Sequence, residues 1–123
     1  MAECSKRRIR EDHMDVMIEI LKAVDVVQAR LNQEYLNGLI KDEIDRKVEY
    51  AKEHDSVSGP TYTAGKAIRA LAIGLVLDAW RKVMNGRDHS VGRMIHSYAE
   101  IGIPRDMAWN IIDAWTEPPT TKK

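Results

Sequence analysis

The sequence predicts an all-α protein, a bundle of about four or five helices around a buried central helix at residues 63–85. Three observations predict it. Apolar residues recur at three- and four-residue intervals along most of the chain, which places them on one side of a helix. Residues 63–84 are mostly helix formers, with no charge between Arg69 and Asp78. Turn dipeptides at Asn37-Gly38, Asn85-Gly86 and Gly102-Ile103 divide the periodic stretches.

A chain of 123 residues has the size of one domain. Its charged fraction of 31% and hydrophobic fraction of 44% are those of a globular chain, not a disordered one. The division expected is a polar and basic tail at 1–7, a single helical domain at 8–117 and a C-terminal tail at 118–123. The 19 basic and 19 acidic residues balance, so bulk charge argues for neither a nucleic-acid nor a membrane partner. Cys4 is the lone cysteine, which leaves no intramolecular disulfide and no cysteine-based zinc site. No apolar h-region follows the N-terminal charges, so a cytoplasmic protein is expected.

The N-terminal tail ends in Lys6, Arg7, Arg8 and Arg10. A nucleic-acid arm has this composition, but Glu11, Asp12 and Asp15 neutralise it at once. From Ile9 a helical stripe follows through Val16, Met17, Ile20, Leu21, Val24, Val27 and Leu31. The stripe then loses register. Leu36, Ile40, Ile44 and Val48 point about half a turn away, so a break or kink is expected between Asn32 and Gly38.

A second amphipathic helix is expected at 39–54. Asp42, Asp45, Glu49 and Glu53 share one of its faces. Stacked carboxylates can hold Mg²⁺ for phosphate chemistry, as a Mg²⁺-dependent helical nucleotide phosphohydrolase would require. Such a site needs a second carboxylate pair on a facing helix, and the next helix offers only Asp78. Lys41, Arg46 and Lys52 flank the stripe, which favours a salt-bridged solvent face. No metal and no cofactor are expected. His54 to Pro60 reads as a loop.

The central helix opens after Thr61 and Thr63, both good N-caps, and closes at Asn85-Gly86. It carries two apolar rows. Ala64, Ile68, Leu71, Leu75 and Ala79 form one; Ile73, Leu77, Trp80 and Met84 form the other, on the opposite side. A helix apolar nearly all round is covered on both sides. Its uncharged run is shorter than the ~20 apolar residues that span a bilayer, so no membrane insertion is expected. Gly74 and the alanines at 67, 70 and 72 are expected to let neighbouring backbones approach. Asp78 has Arg81 and Lys82 within a turn, the pattern of a local ion pair.

A third unit begins with Asp88 or Ser90 as N-cap. Val91, Met94, Ile95, Tyr98 and Ile101 form its apolar stripe. His89, Arg93, His96 and Glu100 line the other face. Arg93 inside that row opposes a cation, so His96 and Glu100 read as an exposed pair. Gly102-Ile103-Pro104 is a corner with Gly102 at C′ and Pro104 in the next first turn. The last helix runs to about Trp115, with Met107, Ile111, Ile112 and Trp115 inward and Trp109 at the stripe's edge.

Residues 94–113 have the outline of a helix-turn-helix. Arg105 and Asn110 have base-reading chemistry. Tyr98 stands where such motifs want a small residue, and Asp106 and Asp113 put acid where phosphates would lie. DNA binding through this corner and the basic arm therefore ranks second. The first reading is a small non-enzymatic interaction or regulatory protein that forms a homo-oligomer, a dimer being favoured. A short chain has few helices with which to cover two apolar rows, and a second copy supplies more. The expected interface is Ile73, Leu77, Trp80, Met84 and Trp109. No nucleophile–base pair and no phosphate-binding glycine loop is visible, so no catalytic residue is assigned.

Overall fold

The structure is a computed structural model. It describes residues 8–9, 14–57, 59–85 and 90–117, and all their side chains except those of Arg8, Ile9, Met84, Asn85 and Glu117. Among the described residues five helices make up the all-α fold: α1 (Met14–Leu36), α2 (Lys41–His54), α3 (Ala64–Asn85), α4 (Val91–Ala99) and α5 (Arg105–Trp115). Two short antiparallel strands, β1 (Arg8–Ile9) and β2 (Thr116–Glu117), pair Arg8 with Glu117 and Ile9 with Thr116. Ile9 thus belongs to a strand pair and not to the first helix. The basic residues Lys6, Arg7 and Arg10 lie outside the described residues.

Helix ends follow local chemistry. At the end of α1 the Leu39 N–H reaches the Glu34 carbonyl (2.9 Å) and the Gly38 N–H reaches that of Tyr35 (3.0 Å). Gly38 takes φ 83°, the left-handed conformation that glycine adopts without a Cβ penalty. The expected break after Asn32 is this turn. The same pair of bonds ends α4, from Ile103 N–H to Tyr98 (3.1 Å) and Gly102 N–H to Ala99 (3.0 Å), with Gly102 at φ 91°. Here the accompanying apolar contact is also available, since Ile103 and Tyr98 are both buried. Thr63 caps α3 by accepting the Lys66 N–H on Oγ1 at 3.3 Å. Pro104 stands one residue before α5 rather than inside its first turn.

α3 and α1 share the centre of the packing, and α1 also meets α5. Val16, Ile20, Ala23, Val24, Val27 and Leu31 of α1 are buried. Each large apolar side chain taken out of water contributes roughly 1.5–3 kcal/mol. Arg69 of α3 donates to Asp25 (3.0 Å) and Gln28 (2.6 Å) in the middle of α1. Further along α3, Trp80 meets Trp115 edge-on, with centroids 6.0 Å apart and planes at 69°. Trp115 adjoins Thr116, which pairs with Ile9 just before α1. So α3 runs antiparallel to α1. Gly102, at the start of the corner into α5, lies against the side chain of Arg30, so α5 runs antiparallel to α1 as well.

This changes the reading of α3. Its buried residues are Ala67, Ile68, Ala72, Val76, Ala79, Trp80 and Val83. Val76 and Ala72 are fully buried and lie between the two rows read from the sequence. Those rows are the flanks of one wide arc that faces α1 and the C-terminal helices. Leu71, Ile73, Leu75 and Leu77 are only half-buried, so α3 is not enclosed all round. Two residues of the N-terminal stripes are also displaced. Leu21 and Leu36 are exposed, Leu36 because it falls at the very end of α1.

Candidate functional site

Two surfaces stand out on this frame. The first is a groove of about 900 Å³ between α2 and α3. The loop after α2 packs back on that helix. Gly59 is buried against the backbone of α2, and a Cβ there would overlap the Ala51 carbonyl oxygen. Ala67, Ala70, Leu71, Gly74 and Leu75 of α3 form an apolar floor. Tyr50, Ala51 and His54 of α2 form a wall, with the Tyr50 and His54 rings stacked at 4.0 Å. Tyr62, just before α3, lines the groove as well.

The charges around the groove are unequal in their commitments. Asp78 is held by Arg81 at 3.5 Å, the local pair expected from the sequence. Asp55 accepts the Val57 N–H at 3.1 Å. Arg46 and Lys47 also line the groove, are exposed, and have no ion-pair partner among the described residues. The groove therefore presents an apolar floor and two uncommitted cations. Sequence periodicity missed it because it lies between two helices, and spacing does not say which helices adjoin. The visible signal was the cluster of small residues on α3. Their expected role is only half met. Ala67 and Ala72 are buried, but a Cβ on Gly74 would meet nothing within 4 Å.

The second surface is the side of the α1–α3 pair that carries the Asp25–Arg69 ion pair (3.0 Å). In the antiparallel register, Leu21 and Ile18 lie one and two turns from Asp25, as Ile73 and Leu77 do from Arg69. Ile18 is 49% and Leu21 55% exposed, while Ile73 and Leu77 are half-buried. Of the expected interface, Ile73 and Leu77 thus lie on one seam. Trp80 does not join them: α5 brings Trp115 to it, and it is buried in its own chain. The side chain of Met84 lies outside the described residues. Trp109 is half-buried on α5.

The carboxylate stripe does not gather into a cation site. Asp45 accepts hydrogen bonds from the Lys41 ammonium and the Tyr35 hydroxyl, both at 2.8 Å, while Asp42, Glu49 and Glu53 stay exposed. Among the described residues no group of three or more His, Cys, Asp or Glu is placed to hold a metal ion. His96 and Glu100 form the exposed pair expected, at 3.7 Å, and His89 lies outside the described residues. At the helix-turn-helix corner, Arg105 and Asn110 are exposed, but so are Asp106 and Asp113 on the same helix. Tyr98 is fully buried beneath the corner, and burial raises its hydroxyl pKa well above the ordinary value.

The Tyr35–Asp45–Lys41 cluster ties α1 to α2. Asp45 is held below the usual aspartate range, first by the Lys41 hydrogen bond and then by that from Tyr35. The Lys41 ammonium is raised above its usual value, chiefly by the same carboxylate. A depressed carboxylate contributes stability above its unfolded value of about 3.8, lost as pH falls through the folded one. A raised ammonium contributes below about 10.5, lost as pH rises through its folded value. The link is therefore whole from about pH 4 to about pH 10. Tyr35→Phe should move the Asp45 titration upward, toward the ordinary aspartate value. Carboxyl-carbon NMR against pH measures this, and an unmoved midpoint would remove Tyr35 from the cluster.

Comparison with protein-family models, curated proteins and solved structures finds no match. The geometry of these two surfaces carries the functional reading. No helix among the described residues is long and apolar enough to cross a membrane.

Proposed function

We propose that this chain is a small non-enzymatic interaction protein that works as a homodimer joined through the α1–α3 seam. The observation that supports it is the run of Ile18, Leu21, Ile73 and Leu77 beside the Asp25–Arg69 pair. Large side chains exposed singly are ordinary on a protein surface; a row of them along two adjacent helices marks a contact face. Two antiparallel helices from each of two copies make a four-helix arrangement, and a two-fold axis lets one surface complement itself. The ion pair at the end of the seam would form part of a polar rim.

Sedimentation equilibrium at tens of micromolar is the test. The expected species has twice the 14.0 kDa chain mass. Ile18→Glu combined with Leu21→Glu should give a folded monomer, because neither side chain is in the core, and its thermal midpoint should lose the concentration dependence that a dimer shows. A wild-type chain that stays monomeric over the whole concentration range overturns the proposal.

A further inference from the structure

We infer that the α2–α3 groove is a binding site for an organic anion with an apolar body, such as an alkyl or aryl carboxylate. The inference is independent of the homodimer, since the groove lies away from the Asp25–Arg69 seam.

Gly74 carries the argument first. A glycine in a helix interior is less stable than alanine. Glycine is retained at a cost where a backbone must come close or φ must be positive. Neither holds inside this chain: the φ of Gly74 is not positive, and a Cβ would meet nothing within 4 Å. The space above it is the floor of the groove. What benefits from a bare backbone there is an occupant lying against Gly74 and Ala70, with Leu71 and Leu75 on either side.

Size and charge select the occupant. About 900 Å³ is within the range of small-molecule sites, which pair an apolar lining with a few polar groups. The acids at the groove are engaged, Asp78 by Arg81 and Asp55 by the Val57 N–H. The cations Arg46 and Lys47 make no ion pair among the described residues. An anionic head satisfies them without breaking an existing pair, and a guanidinium accepts a carboxylate in two-pronged fashion. A cationic head would meet two like charges, and the acids of the lining, Asp55 and Asp78, already accept from the Val57 N–H and Arg81.

The probe is decanoate, kept below its aggregation concentration, with decyltrimethylammonium as a tail-matched cation. Titration by amide NMR should show saturable decanoate binding, with the largest shifts at Ala70, Leu71, Gly74 and Leu75. Decyltrimethylammonium should bind at least tenfold more weakly. Gly74→Leu should fill the groove, weaken decanoate at least tenfold, and leave the thermal midpoint equal or higher. Arg46→Glu with Lys47→Glu, both exposed, should weaken decanoate similarly without unfolding the chain, which keeps the test valid if the leucine variant folds poorly. Three results would overturn the inference: no saturable decanoate binding, equal binding of the two probes, or shifts centred away from α3. Because the probes are scored on α3 residues facing α2, failure here leaves the sedimentation test of the dimer untouched.

Discussion

Trp115→Ala should destabilise the protein by about 3–5 kcal/mol, the range for removing a large aromatic from a core. Trp115 is 1% exposed and sits where three parts of the chain meet. Its ring packs edge-on to Trp80 of α3, a geometry worth roughly 0.5–1.5 kcal/mol beyond area burial. The next residue, Thr116, is also buried. Its Oγ1 donates to the Ile112 carbonyl at 2.6 Å, and its backbone pairs with Ile9. Truncation at 115 leaves a cavity beside Trp80 and loosens the strand pair that joins the two ends of the domain. A domain of this size has roughly 5–15 kcal/mol in all, so the variant should sit near the edge of folding. Urea unfolding followed by far-ultraviolet circular dichroism measures the loss. Trp109→Ala, at a half-buried position on the same helix, should lose clearly less. Equal midpoints for the two variants would mean that α5 does not dock as described.

Local chemistry was legible in the sequence, and tertiary consequence was not. Asn37-Gly38, Gly102 and Thr63 end or start helices because glycine tolerates positive φ and threonine accepts a backbone N–H, whatever surrounds them. The inward placement of Ile111, Ile112 and Trp115 follows from spacing alone. The pairing of helices did not. Periodicity ranks helices by apolar content, and α3 is the most apolar, but that ranking does not say that α3 and α5 both run antiparallel to α1 or that α1 shares the centre of the packing with α3. The two apparent faces of α3 were the margins of one arc, with Ala72 and Val76 between them. Small residues carry little weight in a hydrophobic pattern, so the buried centre was less visible than its edges. The pairing of Ile9 with Thr116 joins residues from opposite ends of the chain, and no local signal encodes it. The groove had one trace in the sequence, the small residues of α3. Whether they admit a neighbouring helix or a ligand depends on the angle between α2 and α3, which spacing does not contain.

Gly59 lies in the loop that joins α2 to α3, and Gly59→Ala should cost about 3 kcal/mol, the upper part of the usual range for overpacking. The φ of Gly59 is not positive, so the cost is one of space and not of backbone conformation. A Cβ would overlap the Ala51 carbonyl oxygen and come within 3.1 Å of the Ala51 carbonyl carbon and of Lys52 Cα. All three are backbone atoms of the last turns of α2, which cannot swing aside as a side chain can. The struck carbonyl already accepts the Asp55 N–H at 2.8 Å, so displacing it strains the end of the helix as well. Fewer unfolded conformations favour alanine by about 0.4–1 kcal/mol, too little to offset the clash. Relief comes by moving the loop outward, which carries Tyr62 and the start of α3 away from α2 and widens the groove. Gly74→Ala makes the opposite case a few turns away. There the added methyl meets open space, and the helix should gain up to about 1 kcal/mol. Two glycine-to-alanine changes beside one groove are thus expected to shift urea midpoints in opposite directions. The same sign for both would mean that α2 and the loop after it are not held against each other at Gly59.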